Sequence, residues 1–362
     1  MTALIDEIKV PQRLVAVVAT GQTLTTRQEA IGALIAQDIP VIASTLTGDD
    51  LTPPTAPPSA GGLVRLVPSA SDQAAAAATY LKNEPAVRRA LLIQNTNPED
   101  AYSRSLGEAF VRNFNDDTHT VLTPTETYDS SLSGVPNTMR EMLVNICQQQ
   151  PDVVFFAGRS LDLAALVKAL PDRTCHNSVK INSVKINILA GDDATDFATT
   201  VTQGNDELRK GMNANISVRY TALAHPESWQ EAPESFSPGP QESFRSSCEA
   251  CFRTLFPGEF PGQPLDDGAA ILGHDAIVTA IQAIRAGEGI NDTPQLIIQR
   301  FKRMHGPRAV AGASGWISFD EHGKPINRAV PILEVKADGA VAFVQLSSPR
   351  SSPCRPDDPA LC

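Results

Sequence analysis

The sequence lacks an unbroken apolar run of the ~18 residues that a membrane-spanning helix needs, so no span is expected. It also lacks a basic stripe. Its 362 residues carry 30 lysines and arginines against 41 aspartates and glutamates, a net charge of −11. Nucleic acids and anionic lipid surfaces bind positive patches, so neither is expected as the main partner. Residues 1–9 have acids where an export signal has a basic n-region, and no apolar h-region follows. A signal removed from, or lying outside, this stretch stays open.

Several chemistries lack their motifs. There is no Gly-x-Gly-x-x-Gly and no Gly-x-x-x-x-Gly-Lys-Ser/Thr, so no dinucleotide or nucleoside triphosphate cofactor is expected. No Gly-x-Ser-x-Gly elbow occurs. The histidines (His119, His176, His225, His274, His305 and His322) form no pair at metal-ligand spacing, and only His176 has a cysteine neighbour, Cys175. No metal site is expected. No nucleophile stands beside a base in the sequence, so no catalytic residue is assigned and no enzyme is expected. The six cysteines are Cys147, Cys175, Cys248, Cys251, Cys354 and Cys362. An even count fits oxidised pairs in an exported protein. Cys248-Glu-Ala-Cys251 has no second Cys-x-x-Cys and lies in a helical pattern, so a local disulfide or buried thiols are expected there.

What is present is alternation. Apolar runs at residues 14–19, 39–43, 63–67, 90–94, 120–122, 153–157, 186–190 and 214–220 read as strands. Between and after them, helical patterns fall at 69–81, from 97 on, and at 138–147, 161–170, 242–256, 268–286 and 294–305. That order predicts parallel sheets with helices on both faces, and continuous rather than alternating apolar runs suit strands buried on both sides. Thr25-Thr-Arg-Gln28 reads as a capping box. Asn97-Pro98-Glu99-Asp100 reads as a helix start with Asn97 as N-cap. Residues 225–240 read as a loop, and residues 316–319, 330–335 and 341–344 as strands joined by hairpin turns. The polar, proline-rich end from residue 347 reads as a flexible tail. Residues 177–181 repeat at once as 182–186 (Asn-Ser-Val-Lys-Ile), and only one copy can keep a strand's core register. The length suits two domains.

In open parallel sheets, ligands bind beyond the carboxyl ends of the strands. The residues there form two clusters. Thr23, Thr25 and Thr47 offer hydroxyls beside helix-start N–H groups, which suit a carboxylate. Tyr102, Asp192 and Asp193 offer an aromatic ring and carboxylates, which suit an ammonium group. Arg159 and Ser160 follow another strand; Arg159 either meets an acidic ligand group or pairs with an acid. An α-amino acid carries both charges.

These residues bring in a family. The chain resembles the type I periplasmic (solute) binding proteins, in particular the leucine/isoleucine/valine-binding branch of ABC-transporter receptors. The resemblance runs through Val17-Val-Ala-Thr-Gly21, Gly48-Asp-Asp-Leu-Thr52 and Leu66-Val-Pro-Ser-Ala-Ser-Asp-Gln73. It continues through Ala101-Tyr-Ser-Arg-Ser-Leu-Gly107, residues 151–158, Leu189-Ala-Gly-Asp-Asp193 and residues 315–323. It implies two Rossmann-like lobes with parallel central sheets, joined by a three-crossing hinge near Pro68, Ala222 and Gly315. One lobe holds residues 1–67 and 222–315, and the other 68–221 and 316–346, with 347–362 as tail. It implies carboxylate binding by Thr23 or Thr25 and by Thr47, an aromatic contact from Tyr102, and ammonium binding by Asp193, or by Asp192 with a one-residue slip. The implied function is non-catalytic binding of an amino acid or similar zwitterion in the interlobe cleft, as part of an ABC-type uptake system outside the cytoplasm. Implied partners are a membrane permease or, in the alternative reading, a fused sensor module. Three departures stand out. Arg159 replaces the family's tyrosine. His274-Asp-Ala276 replaces Tyr-Asp-Ala. The family's first strand–helix–strand–helix run has no counterpart, which reads as an N-terminal truncation and leaves the first strand beside an unfilled edge.

Overall fold

The structure is a computed structural model. It describes residues 16–21, 25–51, 62–170, 174–175, 179–180, 186–203, 206–213, 216–231, 233–244, 268–286, 293–350, 353–358 and 362. The chain begins with β1 (Val17–Ala19), α1 (Thr25–Ile35), β2 (Val41–Ala43), β3 (Leu63–Arg65), α2 (Ala70–Lys82), β4 (Arg89–Asn95) and α3 (Ala101–Phe114). It continues with β5 (Thr120–Val121), β6 (Glu126–Tyr128), α4 (Val135–Gln149), β7 (Val153–Ala157), α5 (Ser160–Ala169), β8 (Thr174–Cys175) and β9 (Val179–Lys180). Next come β10 (Ile186–Ala190), α6 (Thr195–Thr202), α7 (Asp206–Asn213), β11 (Ile216–Thr221), α8 (Ser228–Glu231) and α9 (Pro238–Phe244). The last elements are α10 (Ala269–Arg285), α11 (Pro294–Phe301), β12 (Val310–Gly312), β13 (Gly315–Ile317), β14 (Val330–Val335) and β15 (Val341–Ser347).

The chain divides into two compact units. The first comprises Met1–Ser69, Leu223–Ala329 and Ser352–Cys362; the second comprises Ala70–Ala222 and Val330–Ser351. In the first unit β1, β2 and β3 form a parallel sheet in that order, with β1 at an edge among the described residues. Ile31 and Ile35 of α1 pack with Val41, Ala43, Leu46 and Leu51. Ile42 and Val64 pack instead with Ala276, Ile297, Phe301, Ile317 and Phe319. Burial on two sides explains why the central strand β2 is apolar throughout, while edge strand β1 leaves Val18 exposed.

In the second unit eight strands form one sheet, in the order β15-β14-β11-β10-β7-β4-β5, with β6 also paired to β4. The pairs among β4, β5, β6, β7, β10 and β11 are parallel. β14 and β15 add as antiparallel strands. Helices α2 and α3 bury Tyr80, Phe110 and Phe114 with Leu92 and Phe155. Helices α4 to α7 bury Met139, Leu166, Phe197 and Leu208 with Leu91, Phe156 and Ile188. Six parallel strands place their carboxyl ends along one edge, and the candidate site lies there.

Four sequence expectations change. The third crossing falls between Ala329 and Val330, not near Gly315, and a further one follows Ser351. Residues 316–329 belong to the first unit because β13 pairs with β12, Ile317 and Phe319 enter the first unit's core, and the Gly323 carbonyl accepts the Arg65 N–H at 3.0 Å. The expected tail is ordered where it is described. Ser347 ends β15, and Cys354 is buried, disulfide-bonded to Cys362, and donates its N–H to the Asn327 carbonyl at 3.0 Å. The expected loop at 225–240 contains α8 and the start of α9, because buried Trp229 anchors it through an indole bond to the Ala313 carbonyl at 2.7 Å. Asn97 is not the cap of α3. Asp100 is, and its carboxylate accepts the Ser103 N–H.

The tandem copies part ways. Val179–Lys180 of the first copy pairs with Thr174–Cys175, while Ile186 of the second opens β10 and is buried. Cys248 and Cys251 lie outside the described residues, as does most of the helix expected at 242–256. Cys147 is disulfide-bonded. His274 packs edge-on against Phe244 and bonds Asp275, whose buried carboxylate also holds the Ala313 and Ser314 N–H groups.

Candidate functional site

The site is built at the carboxyl ends of β4, β7 and β10. Strand β7 ends at Ala157; Gly158 and Arg159 follow, and α5 starts at Ser160. Strand β10 ends at Ala190, and Asp192 and Asp193 open a short 3₁₀ turn after Gly191. Strand β4 ends at Asn95, and Asp100 caps α3 with Tyr102 in its first turn. Five predicted residues therefore meet: Tyr102, Arg159, Ser160, Asp192 and Asp193.

Arg159 settles its two-way reading by pairing with acids. Its Nη2 and Nε donate to the two oxygens of Asp100 at 2.7 and 3.2 Å, a two-toothed grip. Its Nη1 donates to Asp193 at 3.3 Å. The guanidinium lies 4.5 Å from the centre of the Tyr102 ring, in cation–π contact. Burial would lower the Arg159 pKa, but the Asp100 bonds and charge outweigh it and raise it further. At Asp100 burial pushes upward, yet the Arg159 bond and charge prevail and hold the carboxyl below the usual range. Ser103 and Asn95 also donate to Asp100, the latter at 2.9 Å, so that carboxylate is fully occupied.

Asp193 is occupied too. Its second oxygen accepts the Ser160 N–H at 2.9 Å, so it caps α5 from outside the helix. Asp192 differs. Tyr102 donates its hydroxyl to Oδ1 at 2.7 Å. Burial, reinforced by the charge of Asp193, raises the Asp192 pKa to about 6 against the lowering pull of Tyr102. Asp162, one turn into α5, repeats the pattern: the Tyr128 hydroxyl donates to it at 3.0 Å, and burial together with the Asp100 and Asp193 charges raises its pKa. The cluster thus holds four carboxyls and one cation, and the cation is committed to two of them.

Among the first-unit candidates, Thr47 is buried in the loop after β2. Thr25 begins α1, and Thr23 lies outside the described residues. The loops after β1 and β2 are stitched together: Thr45 Oγ1 accepts the Gly21 N–H at 2.5 Å and donates to the Gly21 carbonyl at 3.2 Å. Sequence reasoning missed Asp100, Asp162, Tyr128 and Gln73. Only Asp100 carried a local signal, an acid three residues before Ser103 at a helix start. No group of three or more possible metal ligands occurs among the described residues. No helix among them is long and apolar enough to cross a membrane.

No protein-family model matches the chain, and no curated protein sequence does. Solved structures do match, and they define the class: the fold is that of the type I periplasmic binding proteins, as the sequence suggested. A leucine-binding protein LivK from Thermotoga maritima superposes with a TM-score of 0.66 at 19% identity, over 96% of this chain and 83% of that one. The branched-chain amino acid transporter substrate-binding protein LivJ from Streptococcus pneumoniae, in complex with isoleucine, gives 0.61 at 15%, over 96% and 82%. A solute-binding protein of an ABC transporter from Rhodopseudomonas palustris, in complex with p-hydroxybenzoic acid, gives 0.62 at 17%, over 97% and 83%.

Proposed function

We propose that the chain binds a small zwitterionic solute, an amino acid or close analogue, and releases it unchanged. The observation that carries this reading is Asp192. It is a half-buried acid just past a strand end, bonded by the Tyr102 hydroxyl and in no ion pair among the described residues. An ammonium group is what such an acid lacks. Asp193, the acid the sequence favoured, is spent on Arg159 and Ser160, so Asp192 takes the ligand-facing place. Tyr102 orients it, and Arg159 stabilises the neighbouring acids rather than meeting the ligand. In this reading the chain is the extracytoplasmic solute-binding component of an ABC-type uptake system, working with a membrane permease. The ligand is held in the cleft between the lobes, and its carboxylate goes to Thr23 or Thr25 and Thr47. The leucine and isoleucine named for two of the similar structures support this choice; p-hydroxybenzoic acid, named for the third, shares the carboxylate but has no ammonium group.

Calorimetry against a panel of L-amino acids tests it. One or more should bind saturably, and Asp192→Asn should weaken that binding about tenfold or more, the value of a charged hydrogen bond. Asp193→Asn should mainly lower the melting temperature. No heat from any member of the panel rejects the reading.

A further inference from the structure

We propose that Gln73 is a positioning residue for the Asp192 carboxyl, and that it ties this acid to the points where the chain first enters and first leaves the second unit. The proposal rests on reading Asp192 as the ligand-facing acid. Gln73 lies at the start of α2, just after the chain enters the unit at Ala70. It has no exposed surface. Its Oε1 accepts the backbone N–H of Asp192 at 3.2 Å and the Thr221 hydroxyl at 2.8 Å. Thr221 is the last residue of β11, and the chain leaves the unit after Ala222. One carbonyl oxygen, using both lone pairs, thus joins the ligand-side turn to both ends of the excursion.

The other end of the amide, Nε2, is buried and makes no hydrogen bond of full geometry among the described residues, though it is near enough to the Asp192 carboxyl to act on it. Native structures seldom leave a buried donor in that state. The amide also acts on Asp192 itself, pulling the carboxyl's pKa down against burial and the charge of Asp193. Gln73 therefore holds the backbone of Asp192 with its acceptor and keeps a donor in reserve for the carboxylate. When Asp192 ionises and turns to an ammonium group, that donor is available to its second oxygen. The other groups facing Asp192 are Tyr102 from α3, Arg159 before α5, and Asp193 on the same turn. All three stay constant in the test.

The test uses the full chain, labelled with ¹³C/¹⁵N-aspartate, without ligand. It follows the Asp192 carboxyl titration and the exchange rate of the Asp192 amide proton. Gln73→Met should raise the titration midpoint by about one pH unit and speed amide exchange about tenfold. Gln73→Glu should restore slow exchange while the midpoint stays raised, because it returns the acceptor but not the donor. Thr221→Val should move exchange in the same direction as Gln73→Met, by less, and carries the test if Gln73→Met does not fold. Unchanged titration and exchange in Gln73→Met, with only a lower melting temperature, would reduce Gln73 to a packing residue and overturn the proposal. If both readouts move but no amino acid binds the wild-type chain, the positioning stands and the proposed function falls.

Discussion

The Tyr102 hydroxyl occupies the space into which a side chain on residue 191 would project. A Cβ built on Gly191 meets that oxygen well inside contact distance and lies 2.8 Å from Leu106 Cδ2. Gly191 is needed there for room rather than for backbone conformation, since its φ of −80° suits any residue. Gly158 stands in the same relation to the Tyr128 hydroxyl. Both tyrosine–aspartate pairs of the site thus depend on a glycine one residue past a strand end.

Gly191→Ala should therefore displace Tyr102 and break its bond to Asp192. The expected cost is about 2 kcal/mol from overpacking, measured by denaturant unfolding. Amino acid binding should fall with it, whereas Gly273→Ala, on a helix where nothing lies within 4 Å and the backbone is ordinary, should leave binding unchanged.

Arg159→Met should leave Asp100 buried without its cation. Asp100 is 7% exposed, and breaking a buried pair typically costs about 3 kcal/mol. The pH dependence has a definite sign. A carboxyl whose folded pKa is depressed contributes stability that is present above its unfolded pKa and lost as pH falls through the folded value. The gap between Arg159→Met and wild type should thus be large at neutral pH and shrink at acid pH. Arg159→Lys, which keeps the charge but not the two-toothed grip, should fall between them. Equal stability of Arg159→Met and wild type at neutral pH would contradict the pairing.

The layered α/β fold was legible because long apolar runs alternate with helical patterns, as at residues 153–157 and in the helix after them. The strand-end rule was enough to pick out Tyr102, Arg159, Ser160, Asp192 and Asp193, since each lies within a few residues of a strand or at a helix start. What it could not supply was who holds whom. Arg159 reaches Asp100 across 59 residues, Tyr102 reaches Asp192 across 90, and Asp192 reaches Gln73 across 119. No periodicity encodes such separations, so Asp193 looked freer in sequence than its two committed oxygens make it. The hairpin at 315–323 was misallocated for a similar reason. Its strand signal was correct, but the choice of partner is made by Ile317 and Phe319 finding the first unit's core.

Asp192 also sets a pH dependence of opposite sign. Its folded pKa, about 6, lies above the unfolded carboxyl value, so the folded state binds the extra proton in between. Its contribution to stability should decline as pH rises from about 4 to about 6. Over the same window affinity for an amine-bearing solute should rise, because only the ionised carboxyl attracts the ammonium. Asp192→Asn should flatten both curves. An affinity for the solute that is constant from pH 5 to 8 in the wild type would exclude Asp192 as the ligand's acid.

The disulfide between Cys354 and Cys362, eight positions apart, fastens a segment that composition alone marks as a loose tail. Two of its attachments lie in the first unit: Cys354 donates its N–H to the Asn327 carbonyl, and the Ser318 hydroxyl donates to the Cys362 backbone oxygen at 3.2 Å. Closing so short a loop stabilises by about 2–3 kcal/mol through the unfolded chain. The double change Cys354→Ser with Cys362→Ser, which leaves the Cys147 disulfide intact, should lower the first unit's stability by that amount and speed amide exchange around Asn327 and Ser318. Exchange at Tyr102 and Asp192 in the second unit should not change. If exchange near Asn327 stays slow in the double variant, the segment is held by its backbone bonds and the disulfide is incidental to its docking.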